Sequence, residues 1–322
     1  MNSLLRVVMS LLLLAFCAGA YAQGQNYPSK PIRMLVGYAA GGGADGLARM
    51  LAAKLSENLG QQVLVENRPG AAGTLAADAL AKAAPDGYTL YFAETGILIA
   101  PSMYARLPYD TLKSFAPVAG VCTLPLAFVV NPGFPAKNVQ ELITILRADP
   151  GKYSYASPGI GTVQHFAAEM FKKMAGVDAV HIPYKGAAPI LTDLISGQVP
   201  IAVISAAPAI AQARAGRLRA IALTGRERLQ SVPDWPTLAE TLPGFDAAPR
   251  LFLLAPAGTP QAIVLRLGEA VRSALAAKDL LDGFEKQGTS AMPMSADELG
   301  VLIAAEVSRW AAVAKDSGIK PE

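Results

Sequence analysis

The stretch 32–50, IRMLVGYAAGGGADGLARM, decides the fold of this chain because it joins two kinds of secondary structure through a glycine-rich turn. Its apolar start predicts a buried strand over 31–38, and its later periodicity predicts a helix over 44–59 that ends at Gly60. A glycine-rich turn at this junction exposes backbone N–H groups at the positive end of a helix. Such a turn holds an anion without a charged side chain, so the stretch predicts an anion-binding site.

The same alternation of strand and helix continues along the chain, which predicts an α/β fold with helices on both faces of parallel-rich mixed sheets. Further strands are predicted near 62–66, 87–92, 116–122, 126–131, 153–156, 178–182, 199–204, 217–223 and 250–255. Further helices are predicted over 72–83, 138–148, 162–175, 187–196, 206–214, 260–275, 278–286 and 296–315.

Two short segments are predicted to cross between lobes, at 123–125 and at 245–249. If both act as hinges, residues 125–247 form lobe 2, whereas residues 23–124 and 248–322 together form lobe 1. This predicts a two-lobed periplasmic binding protein fold, type II-like, that closes like a Venus flytrap about a central cleft. The alternative is that both segments are ordinary linkers.

Residues 1–22 have the pattern of a signal peptide rather than of a folded segment. Arg6 gives a basic start, 7–17 is an apolar run too short to span a membrane, and Ala20-Tyr21-Ala22 is a small-x-small cleavage site. We therefore expect export in the unfolded state by the Sec route, cleavage after Ala22 and a periplasmic location. The alternative is lipoprotein processing at Cys17.

Composition excludes several classes of protein. The 322-residue chain has a formal net charge of +3, and its basic residues are spread out, which argues against a nucleic-acid surface. Once the leader is removed, Cys122 is the remaining cysteine, so an internal disulfide is excluded. A chain of this length buries a core large enough to be stable without one.

Two more segments have the same strand–turn–helix pattern with glycine in the turn, and both fall in the predicted lobe 2. Residues 153–162 run from a strand through Ser157-Pro158-Gly159-Ile160-Gly161 to a helix that begins at Thr162 and carries His165. Residues 182–187 again enter a helix through Tyr184-Lys185-Gly186. Helix N-termini from both lobes are therefore predicted to face one cleft.

Catalytic groups are scarce. His165 and His181 are the two histidines of the chain, and no nucleophile elbow, Walker motif or zinc-type cluster accompanies them. One enzyme-like signal is Gly41-x-Gly43-x-x-Gly46, with Glu66 twenty residues further on, which is the spacing of a dinucleotide-binding unit. An exported Rossmann-type oxidoreductase is thus the alternative to a binding protein, although exported chains fold where such cofactors are scarce.

Several motifs in a fixed order carry a resemblance that covers nearly all of the chain after the leader. The chain resembles the Bug/TctC family, the extracytoplasmic receptors of tripartite tricarboxylate transporters. The matching segments are 38–45 (YAAGGGAD), 65–73 (VENRPGAAG), 85–90 (PDGYTL), 157–165 (SPGIGTVQH), 184–186 (YKG), 236–240 (PTLAE) and 255–260 (APAGTP).

The resemblance implies a non-enzymatic, monomeric receptor without a cofactor or metal, which binds a small organic carboxylate and delivers it to membrane permease subunits. A ligand sensor that serves a membrane signalling protein is the other role compatible with the same cleft. The implied and candidate ligand-binding residues are Tyr38, Ala39, Ala40, Gly41, Gly42 and Asp45 in the first turn, and Ser157, Gly159, Gly161, Thr162, His165, Lys185, Gly186, Ser205 and Arg250 beyond it.

Some of these candidates leave alternatives open. Asp45 cannot pair directly with a carboxylate, so it caps the helix, accepts from a bridging water, or binds an amine. Arg250 stands near a position where the family has tryptophan, and it either pairs with a ligand carboxylate or is a solvated hinge charge. His165 has a second interpretation as a helix-face residue that packs beside the turn.

Overall fold

The computed structural model describes residues 27–41, 43–184 and 186–319. The predicted leader over 1–22 and the candidate residues Gly42 and Lys185 lie outside the described residues. The described chain is an α/β protein with two mixed sheets, as the sequence predicts.

The first sheet has the order β11-β4-β10-β3-β1-β2. Strands β1, β2 and β3 are parallel, whereas β10 is inserted antiparallel between β3 and β4, and β11 pairs antiparallel with β4. The strands are β1 (Ile32–Val36), β2 (Val63–Asn67), β3 (Thr89–Glu94), β4 (Phe115–Thr123), β10 (Arg250–Pro256) and β11 (Ser290–Met294).

Helices cover both faces of this sheet because its strands are apolar on both sides. One face packs against α1 (Gly43–Leu59), α8 (Gln261–Leu275) and α9 (Lys278–Lys286), whose buried residues share a core cluster with β1 and β10. The other face packs against α2 (Thr74–Ala81), α3 (Gly96–Met103) and α10 (Ala296–Asp316).

The second sheet has the order β7-β6-β8-β5-β9, with β5 antiparallel to both of its neighbours. Its strands are β5 (Leu126–Val130), β6 (Ser154–Ser157), β7 (Val180–Pro183), β8 (Ile201–Ser205) and β9 (Arg219–Leu223). Its helices are α4 (Val139–Ala148) and α5 (Val163–Ala175) on one face, and α6 (Ala187–Ser196) and α7 (Ala206–Arg214) on the other.

The chain passes from the first sheet to the second between β4 and β5 and returns between β9 and β10. The two passages run side by side, because Leu124 N–H donates to the Pro249 carbonyl at 2.8 Å. On the lobe 2 side, Ala247 N–H donates to the Thr224 carbonyl at 2.9 Å. The exact lobe limits at 124/125 and 247/248 stay predictions.

Helix α10 belongs to the first sheet but also reaches the second. Ser295 caps it and Glu298 completes the capping box that the sequence predicts. Near its end, the Trp310 ring packs edge-on against Phe166 of α5, with centroids 5.8 Å apart. The core on this face is therefore continuous between the two sheets.

Two elements were not expected from the sequence, α3 and β11. Helix α3 starts at a glycine and contains Pro101, and β11 contains Pro293, so neither shows a regular pattern. The predicted helix over 72–83 is instead a short 3₁₀ turn, with Ala72 at φ 52°, followed by α2. Among the described residues, no helix has the length and apolarity needed to span a membrane.

Candidate functional site

The first turn is closed by a side chain from its own helix. Gly41, at φ +80°, donates its N–H to Oδ2 of Asp45 at 2.9 Å. Asp45 is buried, and it also accepts from Arg49 Nε at 3.0 Å and from Asn67 Nδ2 at 2.8 Å. Burial raises the pKa of Asp45, but the hydrogen bonds from Arg49, Gly41 and Asn67 outweigh it and hold the pKa at about 2.

Both oxygens of Asp45 are thus engaged within the protein. Of the alternatives left open by the sequence, this geometry favours the one in which Asp45 pins the start of α1. It also commits the Gly41 amide, which therefore is not free for a ligand. Ala39 and Ala40 remain exposed at the mouth of the turn.

Tyr38 connects this turn to a part of the site that the sequence did not indicate. Its hydroxyl hydrogen-bonds to the carboxyl of Glu94, the last residue of β3. Burial, and then the charge of Glu94, raise the pKa of Tyr38. The same hydroxyl lies 3.1 Å from where a Cβ of Gly96 would stand, so Tyr38 and Glu94 both adjoin the N-terminus of α3.

The second turn is closed by the same kind of hydrogen bond as the first, from a glycine amide to a side chain four residues further on. Gly161, at φ +78°, donates its N–H to Nδ1 of His165 at 3.3 Å. Thr162 caps α5, since its Oγ1 accepts from His165 N–H at 3.3 Å and donates to the Gly159 carbonyl at 2.7 Å. The amides of Val163 and Gln164, which precede the capped one, have no acceptor within the helix, so they are available to an anion.

Beneath the second turn lies a column of stacked rings. His165 stacks on His181 with centroids 4.1 Å apart, and His181 stacks on Tyr155 at 4.9 Å. Nε2 of His181 shares a 2.7 Å hydrogen bond with Oγ of the buried Ser157. Burial lowers the pKa of both histidines to about 4, helped by the nearby charge of Lys172 on His165 and of His165 on His181. Both rings are therefore neutral, and Ser157 and His165 support the turn from below.

The second turn meets the first lobe directly. A Cβ at Gly161 would lie 3.3 Å from Cε of Met103, which ends α3. A cavity of about 50 Å³ separates the two sides at this point. It is lined by Ala72, Gly96, Ala100, Met103 and Tyr104 from one side and by Ile160 and Gly161 from the other. Tyr38 thus adjoins the N-terminal end of α3 at Gly96, whereas the second turn contacts its C-terminal end at Met103.

The remaining described candidates of lobe 2 each precede a helix. Gly186 precedes α6 at φ +103°, and its N–H donates to the Pro158 carbonyl at 3.4 Å, which ties the third turn to the second. Ser205 precedes α7 and is half-buried. A second interlobe cavity, of about 400 Å³, opens beside α7, lined from opposite sides by Ala207, Ile210, Arg214 and Ser231 and by Asp282, Glu285, Lys286 and Gly288.

Arg250 lies in a buried ion cluster at the return passage. Its guanidinium donates to Asp246 Oδ2 at 2.6 Å and to Glu306 Oε2 at 3.3 Å. Glu306 also accepts from Arg309 at 2.7 Å and from Trp310 Nε1 at 2.9 Å. The Arg250 side chain is only 12% exposed. This arrangement favours the hinge alternative over ligand contact, and the charge is buried rather than solvated.

The residues expected of a dinucleotide site are engaged elsewhere. Glu66 accepts from Arg33 at 2.7 Å and from Arg68 at 2.8 Å on an exposed surface, which lowers its pKa. A third cavity, of about 320 Å³, lies within one lobe between β4, α8 and β11, away from both turns. Within the described ranges, no group of three or more His, Cys, Asp or Glu side chains is placed to hold a metal.

Sequence reasoning missed the contribution of β3 and α3 to the site, namely Glu94, Gly96 and Met103. One signal was present: Glu94-Thr95-Gly96 follows the apolar run 90–93 in the same strand–turn pattern as the other turns. It was hidden because α3 itself has no helical signature around Pro101.

A family model and a similar protein both match this chain over most of its length. The model of the tripartite tricarboxylate transporter family receptor matches residues 47–319. The protein BugT of Bordetella pertussis is 35% identical over 323 residues, which cover 99% of this chain and 99% of BugT.

Two solved structures from Rhodopseudomonas palustris are similar in fold as well as in sequence. Rpa4515 with adipate has a TM-score of 0.82 and 33% identity, covering 92% of this chain and 100% of that one. MatC with bound malate has a TM-score of 0.77 and 32% identity, covering 89% of this chain and 99% of that one.

Proposed function

The chain belongs to the tripartite tricarboxylate transporter receptor family, and from this premise we propose that it captures a small organic carboxylate between its lobes for uptake by a transporter of that type. We propose further that it acts without catalysis, cofactor or metal. The observation that carries the proposal is the pair of matched glycines, Gly41 and Gly161, each of which precedes a helix: α1 of the first sheet and α5 of the second.

The chemistry of these turns suits a carboxylate. Backbone N–H groups at a helix N-terminus stabilise an anion by about 0.3–1 kcal/mol, and by up to about 2 kcal/mol when the site is partly buried. Each hydrogen bond to a charged group adds about 1.5–3 kcal/mol. Two relatives of the same fold have been solved with adipate and with bound malate, and both ligands are dicarboxylates.

Closure follows from this division of the site between two lobes. A ligand that contacts both turns does so only when the lobes are together, so binding shifts the population toward the closed form. The side-by-side passages at Leu124 and Ala247 would serve as the hinge. The closed form is then the one presented to the membrane permease subunits.

We propose that the receptor works as a periplasmic monomer after cleavage behind Ala22. Family members are periplasmic receptors, and the leader pattern over 1–22 supports the same location for this chain. Mass spectrometry of the exported protein tests the cleavage position, and light scattering tests the monomer.

A thermal-shift screen tests the binding class. The protein is heated with adipate, malate, succinate, citrate and neutral analogues of the same size. A ligand at 100 times its Kd stabilises the folded state by about 2.7 kcal/mol, which raises Tm by roughly 5 °C or more for a chain of this length. If no carboxylate raises Tm and none binds by calorimetry, the proposal fails.

A matched pair of variants tests the second turn. Thr162→Glu and Thr162→Gln both replace the helix cap with a longer side chain, but only glutamate adds a negative charge beside the proposed anion. We expect Thr162→Glu to abolish carboxylate binding, whereas Thr162→Gln retains it with reduced affinity. Equal affinities in the two variants would remove the second turn from the site.

A further inference from the structure

Glu94 is a buried acid at the proposed carboxylate site with no cation to balance it. It ends β3, is 9% exposed and lies beside Tyr38 of the first turn. No lysine, arginine or histidine of the described segments lies within ion-pair distance of it. Asp45, the other acid of the first turn, is by contrast neutralised by Arg49 at 3.0 Å.

The ionisable groups around Glu94 come from several elements, and among the residues that the structure describes none of them supplies a positive charge. Tyr38 of the first turn hydrogen-bonds to it, and Tyr91 of its own strand and Cys122 of β4 lie near enough for its charge to raise their pKa values. On the adjoining strand β10, Arg250 directs its guanidinium to Asp246 and Glu306. A ligand carboxylate bound at the first turn would therefore meet an unscreened like charge if Glu94 were ionised.

On the premise of the proposed function, we propose that Glu94 binds the ligand in its protonated form, its carboxyl O–H donating to an oxygen of the ligand carboxylate. The proton comes from solvent, and no covalent bond other than the O–H bond is made. Each ligand captured above neutral pH then takes up one proton. The site selects an acid whose end at the first turn carries no ammonium group, because an ammonium would require Glu94 to be ionised.

The electrostatics around Glu94 agree with this role. Burial raises the pKa of Glu94 to about 7, against the opposing effect of the hydrogen bond from Tyr38. A second negative charge beside it raises the pKa further in the complex. Between the pKa of the free protein and that of the complex, affinity falls about tenfold for each unit of rising pH. His165 and His181, with pKa values of about 4, stay neutral throughout.

Calorimetry of the wild-type protein measures the proton directly. Adipate, malate, succinate and citrate are titrated at pH 6.0, 7.0 and 8.5, in phosphate and in Tris, whose ionisation enthalpies differ. We expect about one proton taken up per bound carboxylate at pH 8.5, and a Kd at least tenfold weaker at pH 8.5 than at pH 6.0. Binding with a Kd that changes less than about twofold, and without proton uptake, overturns the proposal.

The variant Glu94→Gln tests whether binding needs a titrating proton or only a side chain of this size that donates a hydrogen bond. Glutamine keeps the size of the residue and donates permanently through its amide, so we expect affinity near the wild-type value at pH 6.0 and no loss at pH 8.5. The control is Glu57→Gln, which removes an exposed carboxyl of α1 that pairs with Lys54, and which keeps the wild-type pH dependence.

These experiments distinguish failure of the Glu94 inference from failure of the proposed function. If carboxylates bind the wild-type protein but Glu94→Gln, folded by circular dichroism, loses binding at every pH, Glu94 acts as an anion toward a donor group, and the inference is overturned while the proposed function stands. If no carboxylate binds the wild-type protein at any pH, both are overturned.

Discussion

Gly161 donates its amide to Nδ1 of His165, four residues further along the chain, at a distance of 3.3 Å. The first turn repeats this relationship, with Gly41 donating to Asp45 at 2.9 Å. In each turn the glycine has a φ close to +80°, and the acceptor is the third residue of the helix. Two different side chains thus accept the same kind of hydrogen bond from the glycine that precedes their helix.

The Asp45 contacts predict an acid-sensitive loss of stability. Asp45→Asn removes the charge that Arg49 pairs with and leaves a buried donor without its partner, so we expect a loss of about 1–3 kcal/mol at pH 7. Because folding lowers the pKa of Asp45 from 3.8 to about 2, its contribution is complete above pH 4 and is lost as the pH falls toward 2. Urea unfolding at pH 7, 4 and 3 measures this, and a difference from wild type that does not shrink with acid contradicts it.

The stacked histidines predict a second pH effect. Their pKa values of about 4 lie below the unfolded value of 6.5, so the unfolded state binds more protons and stability falls as the pH drops from 6.5 toward 4. Glu94 acts in the opposite direction, since its raised pKa favours the folded state at lower pH. The comparison is therefore made in the Glu94→Gln background.

In that background we expect the urea midpoint to fall between pH 7 and pH 5. Adding His165→Gln and His181→Gln should flatten this dependence, because the chain has no other histidine. An unchanged slope after both substitutions would mean that the column of rings is not protonated on unfolding in this range.

The buried ion cluster around Arg250 predicts that replacing this one arginine strongly lowers the free energy of unfolding. Arg250→Met leaves Asp246 and Glu306 short of a partner in a buried setting, and breaking a buried ion pair in this way costs about 3–5 kcal/mol. Arg226 also pairs with Asp246 at 3.0 Å, but it is 77% exposed, so Arg226→Met serves as the control and should cost about 0–1 kcal/mol. Chemical denaturation compares the two, and equal losses would contradict the assignment of a buried role to Arg250.

The close approach of the first turn to the 3₁₀ turn predicts a steric limit at Gly37. A Cβ there would lie 2.6 Å from Gly73 Cα and 2.7 Å from Tyr91 Oη, so Gly37→Ala should destabilise the protein by about 1–3 kcal/mol. At Gly43, in the first turn of α1, a Cβ would meet nothing within 4 Å, so Gly43→Ala should be neutral or slightly stabilising. Thermal unfolding of the pair checks this, and a Gly37→Ala variant as stable as Gly43→Ala would contradict it.

Sequence reasoning succeeded where local patterns and tertiary structure agree. The strand–turn–helix units at Gly41 and Gly161 combine a buried strand, a glycine in left-handed conformation and a periodic helix, so their position follows from the residues alone. It failed at α3, where Pro101 and a glycine start obscure a helix that is stabilised by burial of Ile97, Leu98 and Ile99.

Pairing between distant segments was also beyond local reasoning. Asp45, Glu94 and Arg250 each have a side-chain partner from a distant part of the chain, and a sequence does not show which of these groups meet. The sequence therefore leaves two roles open for Arg250, and the contacts with Asp246 and Glu306 favour the buried hinge role. Glu94 went unnoticed because an acid after a strand normally lies in solvent.

The position of β10 between β3 and β4 imposes an order on folding. The central strand of the first sheet is made only after the whole of the second sheet has been synthesised, whereas the second sheet is drawn from one uninterrupted segment. A chain that emerges N-terminus first from the export channel can therefore complete the second sheet while the first still has a gap at its centre. The lobe that carries the first turn is therefore the last to fold. A truncated product that lacks β10 would keep a folded second sheet with the second turn, but no folded first sheet for it to close against.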